Sequence, residues 1–229
     1  MTDNALVIRD VKRYYRDPEG GRFLALDVPA LDVARGEILA MRGESGSGKT
    51  TLLNVIAGIL PAHEGEVLVA GESMSSASES QRDAIRARHI GYLFQTFNLL
   101  GSLSALENVE LGMTFRPRQD EAIPAAARKA LERVGLSDRL RHHPHQLSVG
   151  QQQRVAIARA LAGHPTLVIA DEPTSNLDRP RAEQCMDLLL EFAGESNAAL
   201  LVVTHDEWLL ERFDRVETLR AVQTQEEPA

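Results

Sequence analysis

Gly43-Glu44-Ser45-Gly46-Ser47-Gly48-Lys49-Thr50 is the stretch that decides how this chain reads. It fits the pattern G-x-x-x-x-G-K-[ST] at every fixed position. The short apolar run Ile38–Arg42 precedes it, and Leu52, Leu53, Ile56 and Ile59 follow at helical spacing as far as Pro61, which the pattern predicts as the helix stop. Glycines let a backbone curl with successive N–H groups turned inward, and a helix N-terminus adds a dipole that favours negative charge. A strand, a glycine-rich turn and a helix in that order form a cradle for phosphate. In such a cradle Lys49 reaches the outer phosphates and the Thr50 hydroxyl ligates Mg²⁺.

Working outward, apolar runs alternate with helical patterns, as in a mainly parallel sheet flanked by helices. Residues 5–11 and 24–33 read as early strands, the second as an antiparallel edge. Residues 67–70 read as another strand, and the serine-rich stretch 73–80 as a surface connection without function. A strand is predicted over 90–95. From there to Ser148 the patterns are helical only, at 105–113 and 124–134, and predict an inserted helical subdomain. The sheet resumes at 167–170 and 200–204. The organisation expected is one domain, with residues 1–95 and 149–229 forming an α/β core and 96–148 the insertion; the tail from 223 reads as frayed.

Composition narrows the function classes. The 229 residues suffice for one sizeable α/β domain, and the net charge of −8 argues against a nucleic-acid partner, whose phosphates reward clustered Lys and Arg. The single cysteine, Cys185, has no internal partner for a disulfide and reads as a small buried hydrophobe on a helix. The first ten residues are polar and acidic where a secretion signal needs a basic flank and an apolar run. No stretch reaches the ~18–20 uninterrupted apolar residues of a membrane-crossing helix. The spacing of His142, His143 and His145 fits no zinc pattern, Trp208 reads as a packing residue, and the basic run 82–88 as a solvated helix face.

A phosphate cradle alone leaves many enzyme classes open, and the second half of the chain narrows them. The apolar segment 166–170 ends in Asp171-Glu172, and buried carboxylates at a strand's C-terminal edge are costly unless they serve a cation or a proton transfer. Asp171 is placed to hold Mg²⁺ and Glu172 to act as general base on the attacking water. Upstream stands Leu147-Ser148-Val149-Gly150-Gln151-Gln152-Gln153-Arg154, entering the helical run 155–161. Here the sequence resembles the ATP-binding-cassette (ABC) ATPases, and the resemblance covers nearly the whole chain in order. It runs from an early aromatic through the phosphate loop, Gln95, this signature, Asp171-Glu172 and Ser175-Asn176-Leu177-Asp178 to Thr204-His205-Asp206.

The resemblance implies a P-loop NTPase core with an antiparallel edge subdomain and an inserted helical subdomain. ATP and Mg²⁺ would be the cofactors. Gly43, Ser45, Gly46, Ser47, Gly48, Lys49, Thr50 and Thr51 would hold the phosphates. Tyr15, with Tyr14 as the alternative, would stack on adenine. Gln95 would contact Mg²⁺ and the lytic water, Ser148, Gly150 and Gln151 would bind nucleotide held by a second subunit, Asp178 would lie at the dimer interface, and His205 would contact the γ-phosphate. The implied partners are a second ATPase subunit, expected as a homodimer, and integral membrane permease subunits, with the chain peripheral at the cytoplasmic face of the inner membrane.

One position departs from the family pattern: Val149 stands where Gly is usual. A β-branched residue tolerates positive φ badly, so the backbone there is expected to be extended or strained, which puts the hydrolysis rate in doubt. Three functions share these motifs. Residues 91–100 with Leu106-Glu107-Asn108-Val109 resemble the group that serves lipoprotein release and macrolide or peptide export. An importer ATPase carries the same catalytic set. A soluble ABC ATPase of translation or DNA repair usually has two fused halves or long insertions, which a single acidic chain fits poorly.

Overall fold

A computed structural model of the chain describes residues 3–16, 21–116 and 122–222; the tail predicted to fray lies outside them. In chain order the elements are β1 (Asn4–Arg16), β2 (Arg22–Ala34), β3 (Ile38–Arg42), α1 (Lys49–Ile56), β4 (Glu64–Val69), β5 (Glu72–Ser73), α2 (Glu79–His89), β6 (Ile90–Leu93), α3 (Ala105–Thr114), α4 (Ile123–Arg133), α5 (Val149–Leu161), β7 (Leu167–Asp171), α6 (Arg179–Ser196), β8 (Ala199–Val203), α7 (Glu207–Leu210) and β9 (Arg215–Thr218), with one 3₁₀ turn at Pro144–Gln146. They form an antiparallel sheet in the order β2-β1-β4-β5 and a parallel sheet in the order β6-β7-β8-β3-β9.

Side-chain alternation in the parallel strands divides the interior in two. Leu39, Met41, Leu167, Ile169, Ala199, Leu201 and Val203 face a core shared with the antiparallel sheet and with Leu52, Leu53, Val55 and Ile56 of α1. Their neighbours Ala40, Val168, Ala170, Leu200 and Val202 face the opposite way, into a core continuous with α3, α4, α5 and α6. Strands buried on both faces read as unbroken apolar runs, and for that reason β7 and β8 are plain in the sequence.

One local expectation needs correction, and two features go beyond the sequence reading. The helix after the phosphate loop stops at Ile56, ahead of Pro61. Gly58 takes φ +65°, and the N–H groups of Ile59 and Leu60 turn back to the Asn54 carbonyl. The serine-rich stretch has structural tasks: Ser75 Oγ accepts from the Val67 N–H, and Ser78 caps α2 in a reciprocal pair with Gln81. Strand β9 matches none of the expected strands. It is a short sheet edge of alternating half-buried and exposed residues, joined to the body by Arg215, which donates to the Asp32 carbonyl and to Glu37. Cys185 is buried on α6 as expected, and burial pushes its thiol up to about 12.

Candidate active site

The topology brings four strand ends together. β3 runs into the phosphate loop, β6 into Gln95, β7 into Asp171-Glu172, and β8 into Thr204-His205. All four strands are parallel, so these segments meet at one edge, the place where open α/β sheets hold ligands. A cleft of about 580 Å³ lies there, lined by Gly43, Glu44, Ser45, Gly46, Gly48, Lys49, Thr50, Thr51, Gln95, Asp171, Glu172 and His205.

The loop is built for backbone donors. Gly46 and Gly48 sit at φ +81° and +92°. A Cβ on Gly48 would come within 2.7 Å of the Ala25 carbonyl oxygen, so no other residue fits there. No side chain caps α1, which leaves its first N–H groups facing the cleft at the positive end of the helix. Lys49 Nζ donates to the carbonyls of Gly43 at 2.7 Å and Glu44 at 2.8 Å, which holds the ammonium beside the loop it encloses. Ser47 differs from its neighbours: its side chain is buried beneath Gly43, away from the cleft lining, and its N–H closes the turn on the Glu44 carbonyl.

Both carboxylates are buried. Thr50 Oγ1 donates to Asp171 Oδ2 at 2.9 Å. Burial raises the Asp171 carboxyl above its ordinary range, opposed by the hydrogen bond from Thr50. Glu172 holds φ +46°, rare outside glycine, with its N–H fixed on the Val203 carbonyl. Its Oε1 lies 2.8 Å from His205 Nδ1, and that hydrogen bond, followed by the charge of Glu172, raises the His205 imidazole above its ordinary value. Glu172 Oε2 is buried without a hydrogen-bond partner among the described residues. A buried carboxylate oxygen on a polar cleft with no protein donor is an acceptor open to a ligand or water. The uncapped helix, the fixed ammonium, the Thr50–Asp171 oxygen pair and this orphaned acceptor together suit a nucleotide phosphate with a hard divalent cation.

The remaining predicted residues lie elsewhere. Tyr15, near the end of β1, packs its ring against Phe23 at 5.9 Å, and it is not in the cleft lining. Ser148, Gly150 and Gln151 form one wall of a second, smaller pocket of about 220 Å³ that shares no residue with the first. Ser148 caps α5, its Oγ accepting from the Gln151 N–H at 3.3 Å. Asp178 caps α6 and pairs with Arg181 at 2.9 Å. The expectation for Val149 is corrected here: it is the first residue of α5, exposed, outside the positive-φ set and therefore neither extended nor strained.

The model of the family described as "ABC transporter" matches residues 26–175, a span holding the phosphate loop, Gln95, the α5 N-terminus and the paired carboxylates. This chain belongs to that family. It is the ATP-binding, ATP-hydrolysing cassette of an ABC transporter. Over 197 residues, 86% of each chain, it is 46% identical to the uncharacterized ABC transporter ATP-binding protein YbbA of Escherichia coli K12. Over 191 residues, 83% of this chain and 81% of the other, it is 45% identical to the lipoprotein-releasing system ATP-binding protein LolD of Chromohalobacter salexigens. Among solved structures it resembles the dimeric ATP-binding cassette MJ0796 in a post-hydrolysis state with ADP and Pi, with a TM-score of 0.86, 35% identity and 98% and 99% of the two chains covered. It also resembles cbiO1 of Clostridium perfringens, part of the ABC transporter complex cbiONQ, with a TM-score of 0.81, 29% identity and 98% and 89% covered.

Some contacts of this cassette's site leave no signal in the sequence. Glu44 is a variable position of the loop pattern, yet it lines the cleft and supplies a carbonyl to Lys49. Asn176 donates to the Gln95 carbonyl at 3.1 Å, and Arg159 donates to the carbonyls just beyond it. Contacts to backbone carbonyls leave no mark in residue spacing. Only the fold reveals them.

Proposed function

We propose that this cassette energises the export or extraction of a substrate through a separate integral membrane permease. It would act as one of two identical ATPase subunits held at the cytoplasmic face of the inner membrane. The observation that carries the two-subunit reading is the separation of the cleft from the pocket at Ser148, Gly150 and Gln151. Each pocket is half a site, and a second copy brings the α5 N-terminus of one chain over the cleft of the other. MJ0796, which this chain resembles, is described as dimeric with ADP and Pi.

The roles we assign rest on the cleft geometry together with the family resemblance. The N–H groups of the loop and of the start of α1, with Lys49, hold the phosphates through Gly43, Ser45, Gly46, Gly48, Thr50 and Thr51, while Ser47 supports the loop from beneath. Thr50, Asp171 and the Gln95 amide are the oxygen donors for Mg²⁺, which when bound with ATP neutralises charge on the transferred phosphoryl group. Glu172, with one oxygen on His205 and one unpartnered, takes a proton from water. His205 contacts the γ-phosphate and Tyr15 stacks on the base. Ser148, Gly150 and Gln151 close on the second nucleotide, and Asp178 meets the facing subunit.

Export is favoured over import by the likeness to LolD, whose name describes lipoprotein release. Among the described residues no helix is long and apolar enough to cross a membrane, consistent with a permease on another chain. Purifying the tagged cassette from detergent-solubilised membranes tests the reading. A permease partner with four membrane helices and a large extracytoplasmic domain is expected, with ATP turnover raised in the complex. A partner working with a soluble substrate-binding protein would overturn the exporter assignment.

A further inference from the structure

The turn after Gln95 is an unusual piece of backbone. Phe97 and Asn98 both adopt left-handed conformations, φ +58° and +48°. Asn tolerates this region, but Phe does so rarely, so something outside the turn must hold it. Inside the turn, the Asn98 N–H meets the Thr96 carbonyl at 2.6 Å and the Thr96 hydroxyl donates to Asn98 Oδ1 at 2.8 Å. From outside, Arg159 on α5 donates through Nη2 to the Phe97 carbonyl at 2.5 Å and through Nη1 to the Asn98 carbonyl at 2.6 Å. Among the described residues Arg159 makes no ion pair, so its fork is committed to these two carbonyls.

The stem of Arg159 is held as tightly as its head. A Cβ on Gly112 of α3 would stand 2.8 Å from Arg159 Cγ and 2.9 Å from the Arg159 carbonyl oxygen, so α3 packs directly on this residue only because glycine is there. On the other side, Asn176, from the loop that follows Glu172, donates to the Gln95 carbonyl. Gln95 is thus tied on one side to the carboxylate loop and on the other, through Arg159, to α5.

We propose that Arg159 is a positioning residue for ATP hydrolysis, clamping the Phe97–Asn98 turn so that Gln95 moves with helix α5. The proposal rests on the reading that Gln95 acts at the lytic water. Helix α5 starts at the cap Ser148 and carries Arg159 eleven residues on, about 16 Å along a rigid rod. When the Ser148 end engages the nucleotide of a second subunit, the Arg159 end carries the turn and Gln95 with it. Arginine suits this task because its planar fork meets two carbonyls at once, whereas a lysine ammonium is a point charge on a flexible stem.

The test compares Arg159→Met and Arg159→Lys with wild type, each as the full chain with its membrane partner. The readouts are kcat, KM for ATP, affinity for a fluorescent ATP analogue and hydrogen exchange of residues 94–99. The expected result for Arg159→Met is a fall in kcat of about ten- to a hundredfold, with KM and affinity unchanged and faster exchange in the turn. Arg159→Lys should recover only a small part of the loss. If the Met variant fails to fold, the Lys variant carries the same readouts. In a Gln95→Ala background, Arg159→Met should cost nothing further, because both act through one group. Wild-type kcat with unchanged exchange would overturn the clamp, and so would a loss that adds in full to that of Gln95→Ala. If Gln95→Ala alone leaves kcat at the wild-type level, the reading of Gln95 fails instead, and that outcome is visible separately.

Discussion

The cleft at the end of β3 and the pocket at the start of α5 hold nearly all of the predicted site, yet they are built in opposite ways. In the cleft the polar groups already meet one another: Lys49 on loop carbonyls, Thr50 on Asp171, and Glu172 on His205. At the caps of α5 and α6 the groups are satisfied only locally, Ser148 by Gln151 and Asp178 by Arg181, and none of them reaches the cleft of its own chain. The contrast teaches where cooperation enters. Polar contacts in the cleft are pre-arranged within one chain, and in the proposed dimer the half-site that completes it is presented outward on a helix cap.

The sharpest way to break this comparison is to remove one function at a time from the cleft. Glu172→Gln should lower turnover by about 10²–10⁴-fold while nucleotide binding persists, since the buried position keeps a polar group but loses the base. Lys49→Ala should abolish turnover by removing the cation that offsets charge on the transferred phosphoryl group. Steady-state ATPase assays with equilibrium nucleotide binding separate the two. Loss of all binding in Glu172→Gln would make that residue structural, and normal turnover in Lys49→Ala would contradict the assignment of the loop.

A second prediction concerns the apolar residues just beyond Gln95. Phe97 and Leu99 pack on the helical core, while Leu100 is 47% exposed. Of these three apolar side chains, Leu100 is the one free to meet a short cytoplasmic helix of the permease. Leu100→Asp should abolish transport while shifting the melting temperature of the isolated cassette by no more than about 2 °C. Transport at the wild-type rate would place the docking surface elsewhere.

Smaller effects sharpen the α5 side. Val149 already lies in helical backbone, so Val149→Gly relieves no strain and should change turnover less than about tenfold, with a stability loss below about 1 kcal/mol. A rise beyond about a hundredfold would show that the native α5 cap is impaired. The least effect is electrostatic. Pairing with Glu172 raises His205 above the usual ~6.5, so the stabilisation it contributes is complete below about pH 6.5 and is lost as pH rises through the raised value. An NMR titration of the imidazole should show its midpoint fall in Glu172→Gln. An unmoved midpoint would mean the contact at 2.8 Å is electrostatically idle.

Some features are legible in the sequence because geometry along the chain dictates them. Doubly buried β7 and β8 are apolar throughout, and the loop before α1 needs glycine where φ is positive. Strand β9 escapes such a reading because an edge strand with one polar face carries no apolar run. The end of α1 falls short of the expected stop because Gly58, three residues ahead of Pro61, already turns left-handed. Val149 misleads because the family's glycine suggests a special backbone where an ordinary first helical residue stands. The contacts of Arg159 and Asn176 are unreadable for a different reason: their partners are carbonyls 61 and 81 residues away, and a carbonyl has no residue identity.

The most direct test of the shared active site is the mass of the Glu172→Gln chain in ATP and Mg²⁺, measured by light scattering on a sizing column, alone and combined with Ser148→Arg. A single chain has a mass of 25.2 kDa. Twice that mass is predicted for Glu172→Gln with ATP, and a return to one chain when Ser148→Arg is added, although ATP still binds in the cleft. A dimer that survives Ser148→Arg, or a monomer that holds ATP without ever pairing, would contradict the claim that each active site is completed by the α5 cap of a second copy.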